Sequence, residues 1–300
     1  MASRVLQAIG EIAYRLPEVR RDPLGALDLL ASNEGSRVLP GLAYGPDPGH
    51  GVDLYLPHPW PAGRPRSAVV FFHGGRWSYG SRREYRFVAQ ALASRGLAVA
   101  VCDYRKYPSV RFPSFVEDGA MALAWAMAEL PSHGIDPSLV FAMGHSAGAH
   151  IAALATMDRR YGASFGYDPD RLAGLVLMSG PFDFFPIRGD DLRDIFGPEQ
   201  RHEETQPLRY ARGGLPPMLF LHGRRDRTVR PWSSARMASA VRDHGGEART
   251  IFYDWLTHTN ILAALSDRVG FLVAPVLDDI AAFTDRRIAA IAAEGNGGEG

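Results

Sequence analysis

Five residues constrain this chain more than any others: Gly144-His145-Ser146-Ala147-Gly148. The apolar run Val140–Met143 leads into them, and the helix-forming run Ala149–Ala155 leads out. Gly-x-Ser-x-Gly between a strand and a helix predicts a turn so tight that a Cβ at either glycine collides with neighbouring backbone. The serine backbone is strained. Its hydroxyl is lifted out of the sheet and set at a helix N-terminus, where the amide of Ala147 can point at an anion. The plain alternative is a small-residue turn that only packs a helix onto a sheet. Partners elsewhere in the chain decide between the two.

Around this turn the chain alternates strands with helices. Val52–Leu56 alternates polar and apolar residues and reads as a strand. Ala68–His73, Leu97–Cys102 and Leu172–Met178 are continuous apolar runs, the pattern of strands buried on both faces of a parallel sheet. Pro217–Leu221 and Ala248–Tyr253 complete the strands, and Arg83–Arg95, Pro113–Leu130 and Ser233–His244 read as helices between them. The pattern predicts an α/β class chain with a mostly parallel sheet and helices on both faces. A helical arm over 1–45 precedes the main domain, 46–293, and the Gly-rich end, 294–300, is expected to be disordered. The stretch 180–214 has no clear period and is too long for a simple crossover, so it reads as an insertion or lid.

Composition removes several function classes. The formal net charge is zero, so nothing suggests nucleic acid as a partner. Cys102 is the only cysteine, which excludes an intrachain disulfide, and it falls in an apolar run where it is core. No Cys or His spacing suggests a metal, and no cofactor is expected. No window is long and apolar enough to span a membrane. With no apolar leader apparent in Met1–Leu16, a cytoplasmic location is expected. A homodimer stays open.

A serine hydroxyl needs a base, and the base needs an acid to orient it. Ten histidines compete for the first role. His258 follows the last strand, in Asp254-Trp-Leu-Thr-His258, and Asp226 lies in the turn after the Pro217–Leu221 strand. Asp183 and Asp254 compete with Asp226, whose plain reading is a turn aspartate bonded to local backbone. His73 and His222 sit in His-Gly turns, where a structural hydrogen bond is expected, and the side chain of His145 should point away from the hydroxyl. His73-Gly74-Gly75-Arg76-Trp77 follows a strand with two glycines, so it can turn and present amides to a substrate oxygen. With Ala147, the amides of Gly74, Gly75 and Arg76 are the candidates for an oxyanion hole.

Taken together, His73-Gly74-Gly75-Arg76-Trp77, Asp103-Tyr104-Arg105, Gly144-His-Ser146-Ala-Gly148, His222-Gly-Arg-Arg-Asp226 and His258 resemble the α/β-hydrolase superfamily. Within it the chain is similar to the esterases related to hormone-sensitive lipase and kynurenine formamidase. The resemblance implies the α/β-hydrolase fold, a Ser146–His258–Asp226 triad in that family's chain order, and a small-molecule ester substrate of short or medium acyl chain. It leaves two alternatives open: an arylformamidase acting on N-formylkynurenine, and a binding protein that kept the fold without turnover. Arg76 stands where many lipase-like relatives have a third glycine, and the His-Gly-Gly-x-Trp form is closer to formamidases, feruloyl-esterase-like enzymes and prenylcysteine methylesterases. By the same resemblance Asp103 or Arg105 fixes the oxyanion loop, and the 1–45 arm can cover the mouth of the site. Trp77, His145, Phe182 and Trp255 are candidates for lining the substrate pocket, with Phe184 and Phe185 beside them; each also reads as ordinary core.

Overall fold

The computed structural model describes Gly25, Leu27 and residues 35–267 and 270–297. Eight strands form one sheet: β1 (Ser36–Ala43), β2 (Gly51–Pro57), β3 (Ser67–Phe72), β4 (Leu97–Cys102), β5 (Val140–His145), β6 (Gly174–Met178), β7 (Met218–Gly223) and β8 (Ala248–Tyr253). Their order in space is β1-β2-β4-β3-β5-β6-β7-β8. β1 and β2 run antiparallel to their neighbours, and every other pairing is parallel.

Every residue of β3 to β7 is buried, because helices cover both faces. Successive side chains then go to opposite cores. Val70 and Phe72 join one cluster, with Phe115 of α2 (Ser114–Glu129), Ile151 of α3 (Ala147–Met157) and Met237 of α6 (Trp232–Asp243). Val69 and Phe71 join the other, with Phe87 of α1 (Arg86–Ser94) and Ile280 of the C-terminal helix Val276–Gly297. Cys102 is a buried free thiol in the first core.

Two sequence expectations change. Ser36–Ala43 falls within the 1–45 helical arm that the sequence predicts, yet it is strand β1, paired with β2 through a register shift between Leu39 and Leu42. Pro40 and Gly41 hid it; both are tolerated there because β1 is an edge strand and the irregularity falls at these residues. Apart from Gly25 and Leu27, residues 1–34 of the arm lie outside the described residues. The end at 294–300 was expected to be disordered, but the last helix runs to Gly297. The 180–214 segment, expected as an insertion or lid, contains α5 (Asp190–Phe196, with α4 at Arg159–Phe165 before it) and two 3-10 helices, Glu199–Thr205 and Pro207–Tyr210.

The sheet order also places the site. The chain moves outward from β3 to β4, then returns to put β5 on the other side of β3. Loops leaving the carboxyl ends of β3 and β5 therefore part in opposite directions and leave a crevice between them. Phe72 pairs with Gly144 in register. His73–Trp77 and the Ser146 turn thus start side by side.

Candidate active site

Ser146 sits between β5 and α3 with φ 55° and ψ −118°. That conformation is sparsely populated for any residue with a side chain and costs about 1–3 kcal/mol. The surrounding glycines hold it there. A Cβ on Gly144 would fall inside the Gly148 carbonyl group, and one on Gly148 inside the Phe72 carbonyl group of β3. The Ser146 amide donates to Met178 O at 2.9 Å, tying the turn to the end of β6.

His258 lies in the loop after β8, and its Nε2 is 2.8 Å from Ser146 Oγ. Its Nδ1 is 2.7 Å from Asp226 Oδ2. The carboxylate only accepts, so Nδ1 carries the proton and Nε2 presents its lone pair to the serine hydroxyl. Oδ1 of Asp226 accepts the amides of Thr228 and Val229, each at 2.9 Å. Burial alone would push the Asp226 carboxyl up. The hydrogen bonds from His222 and His258, the His258 charge and the Val229 amide outweigh it and hold Asp226 well below the usual carboxylate range. The competing aspartates are engaged elsewhere: Asp254 is exposed and pairs with Arg224 at 2.9 Å, and Asp183 pairs with Arg236.

The loop after β3 passes directly beside the serine. A Cβ on Gly74 would stand 3.4 Å from Ser146 Cβ, and one on Gly75 (φ 129°) would overlap the Tyr79 carbonyl. Arg76 and Trp77 both have positive φ, 52° and 57°. Among the described residues, no backbone hydrogen bond is formed by the amides of Gly74, Gly75, Arg76 or Ala147. His73 anchors the loop from below: it is fully buried, stacked between Tyr85 and Tyr104, with Nδ1 donating to Gly74 O at 2.6 Å. Asp103 Oδ1 stands 3.3 Å from His73 Nε2, in ion-pair range, and Asp103 also pairs with Arg82. Arg105, the alternative anchor, turns instead to Asp118 at 2.6 Å.

The pocket candidates separate. Trp77 is buried in an aromatic cluster, 4.7 Å from Phe196, 5.1 Å from His150 and 6.1 Å from Phe184, centre to centre. Phe184 and Phe196 come from the 180–214 segment, so this insertion packs against the loop after β3. Arg76 Nη2 reaches Asp191 of α5 at 2.6 Å. Phe182, by contrast, is fully buried, edge-on to Phe220 of β7, and is core. Trp255 packs on the core of the opposite face. His145 was expected to point away, and was also held as a pocket residue; it is neither free nor lining. It is buried, and its Nε2–H donates to the His258 carbonyl at 2.9 Å. Burial, then the His258 charge, push the His145 imidazole down to about 3. His222 is the neighbour that sequence reasoning placed in a structural turn: its Nε2 lies 3.2 Å from Asp226 Oδ2.

The BD-FAE family's sequence model matches residues 52–241. Isoprenylcysteine alpha-carbonyl methylesterase of Arabidopsis thaliana is 27% identical over 247 residues, 75% of this chain and 57% of that protein. Esterase LipC of Mycobacterium tuberculosis is 30% identical over 255 residues, 78% of this chain and 62% of that protein. The match thus spans a little over half the length of these curated relatives. Thermogutta terrifontis esterase 2, solved phosphoramylated by tabun, superposes with a TM-score of 0.70 at 25% identity, covering 86% of this chain and 96% of that one. The same esterase solved with butyrate bound superposes with a TM-score of 0.68, again at 25% identity, over 84% of this chain and 94% of that one. The fold is that of the α/β hydrolases.

Proposed function

The chain belongs to the BD-FAE family of the α/β-hydrolase superfamily, and from that premise we propose that it is a carboxylesterase-type serine hydrolase whose triad is Ser146, His258 and Asp226. One observation carries the reading: the unbroken chain of hydrogen bonds from Ser146 Oγ through His258 to Asp226, at 2.8 and 2.7 Å. The esterase names of the relatives and structural neighbours support it.

In this reading Ser146 Oγ attacks the ester carbonyl carbon while its proton passes to His258 Nε2. Asp226 holds the imidazolium that forms. The carbonyl oxygen becomes an oxyanion between the amide of Ala147, at the start of α3, and those of Gly75 and Arg76, with Gly74 giving the loop its close approach. His258 then gives its proton to the leaving alcohol, and the acyl group stays on Ser146. Water enters, loses a proton to His258 and attacks the acyl carbon. The acid leaves, and the proton returns to Ser146.

We assign the substrate as an ester of short or medium acyl chain. Trp77, Phe184 and Phe196 pack together against His150 in the first turn of α3, an apolar cluster suited to a short acyl chain. The butyrate-bound structural neighbour supports the same range. Ser146→Ala tests the mechanism: turnover of p-nitrophenyl butyrate should fall by several orders of magnitude in a protein that still folds. Activity equal to the wild type would overturn it. A rate panel from p-nitrophenyl acetate to palmitate, with N-formylkynurenine alongside, tests the substrate; dominant formamide cleavage would replace the ester assignment.

A further inference from the structure

Two imidazoles meet one carboxylate oxygen. Asp226 Oδ2 receives His258 Nδ1 at 2.7 Å and lies 3.2 Å from His222 Nε2. His222 and Asp226 are both fully buried side chains. The tautomer of His222 is fixed by its surroundings. Its Nε2 also faces the Val229 carbonyl at 3.0 Å, and both of these neighbours only accept, so Nε2 carries a proton. Its Nδ1 faces Ser234 Oγ of α6 at 2.8 Å and accepts that hydroxyl's proton while His222 is neutral. The ring is therefore clamped at both nitrogens between a strand end and a helix.

We propose that His222 is a positioning residue for ester cleavage: it donates to the same Asp226 oxygen as His258, fixes that oxygen's place, and divides its negative charge between two imidazoles. The proposal rests on the triad reading above. Oδ2 is the only oxygen of Asp226 available to His258, because Oδ1 is taken by the Thr228 and Val229 amides. Any donor on Oδ2 therefore acts directly on the bond that orients the base.

The sign follows from electrostatics. A hydrogen bond to a carboxylate disperses its charge. Without the His222 donor, more of that charge falls on the His258 bond and favours protonated His258. A protonated base cannot accept the serine proton. The acidic limb of the pH profile should therefore move toward higher pH when His222 loses its N–H. Among the described residues, the other titratable and charged groups around the pair are held neutral or stand exposed. His145, whose ring is 4.9 Å from that of His258, is held neutral by burial, and its imidazole is pushed down to about 3. Arg224, Arg225, Arg227 and Arg230 around the Asp226 turn are exposed, as is Asp254.

The test compares pH profiles of kcat/KM for wild type, His222→Leu and His222→Gln on p-nitrophenyl butyrate, with fluorophosphonate labelling of Ser146 in each. Gln places an amide N–H near the Nε2 position; Leu has none. His222→Leu is expected to move the acidic limb up by about half to one pH unit and to lower kcat about tenfold, with KM little changed. His222→Gln should restore most of the shift. A limb that stays in place in folded His222→Leu, or equal behaviour of Leu and Gln, overturns the proposal. If His222→Leu does not fold, Ser234→Ala, which removes only the bond to His222 Nδ1, should give a smaller shift in the same direction; an unshifted limb there overturns it equally. Failure of the triad reading looks different: the wild type itself would escape fluorophosphonate labelling at Ser146.

Discussion

Replacing Asp226 by asparagine should abolish almost all of the proposed esterase activity, and the geometry says why. Oδ1 of Asp226 accepts two backbone amides at 2.9 Å, so an asparagine must keep its carbonyl oxygen there. Its NH2 group is then forced to the Oδ2 position, 2.7 Å from His258 Nδ1 and 3.2 Å from His222 Nε2. Both of those nitrogens carry protons in the wild type, so donor would meet donor. His258 can escape by changing tautomer, accepting from the new NH2 at Nδ1 and carrying its own proton on Nε2. That nitrogen is the one 2.8 Å from Ser146 Oγ. The base then has no lone pair for the serine proton. The same wrong-tautomer substitution in a triad on an unrelated fold lowers kcat about 10,000-fold, which corresponds to about 5.5 kcal/mol of transition-state stabilisation. Initial rates on p-nitrophenyl butyrate measure the loss, and circular dichroism checks that the variant is folded. A folded Asp226→Asn protein within tenfold of wild-type activity would refute the tautomer argument and Asp226's role with it.

Gly148→Ala forces a Cβ into the Phe72 carbonyl group, so it should yield no folded protein or lose more than about 4 kcal/mol in urea denaturation; a normally stable variant would show that the turn can open at little cost. Phe182→Ala should lose about 3–5 kcal/mol of stability, because Phe182 is core against Phe220, while the KM of the folded protein stays near wild type; a raised KM with unchanged stability would return it to the substrate pocket. His150 gives a pH test of stability. Burial pushes its imidazole down to about 4, and its Nε2–H donates to Thr205 O at 2.8 Å. The unfolded chain binds that proton near pH 6.5, so the contribution of neutral His150 is full above that pH and lost as pH falls toward 4. His150→Gln keeps a donor and does not titrate, so its melting temperature should fall less than the wild type's between pH 6.5 and 4; parallel curves would contradict the linkage.

Much of the fold was legible because the constraints are local. Strands β3 to β7 are buried on both faces, so each appears as an unbroken apolar run whose meaning needs no partner. The Ser146 turn was legible for a similar reason. Its glycines answer a steric demand set within five residues, and the contacts they avoid are with backbone of the same turn and the neighbouring strand. Strand β1 was not legible: an edge strand tolerates Pro40 and Gly41, and those residues erase the alternation that would reveal it. Phe182 and Phe184 are two residues apart in one Phe-rich stretch, yet one belongs to the core beside β7 and the other to the cluster around Trp77.

What the sequence determined by itself is therefore the α/β sheet, the strained serine and a short roster of acids and bases at strand ends. Which acid meets which base was decided only by tertiary structure. Asp183, Asp226 and Asp254 all follow strands and look alike in sequence, but only the turn after β7 carries its carboxylate to His258, while the other two are bound by arginines. His222 and His145 were hidden by the same limit. His145 meets the His258 carbonyl across 113 residues of chain, and a contact that distant leaves no periodicity behind it; His222 is only four residues from Asp226, but which way the turn after β7 folds back onto the strand end is set by its packing against the loop after β8.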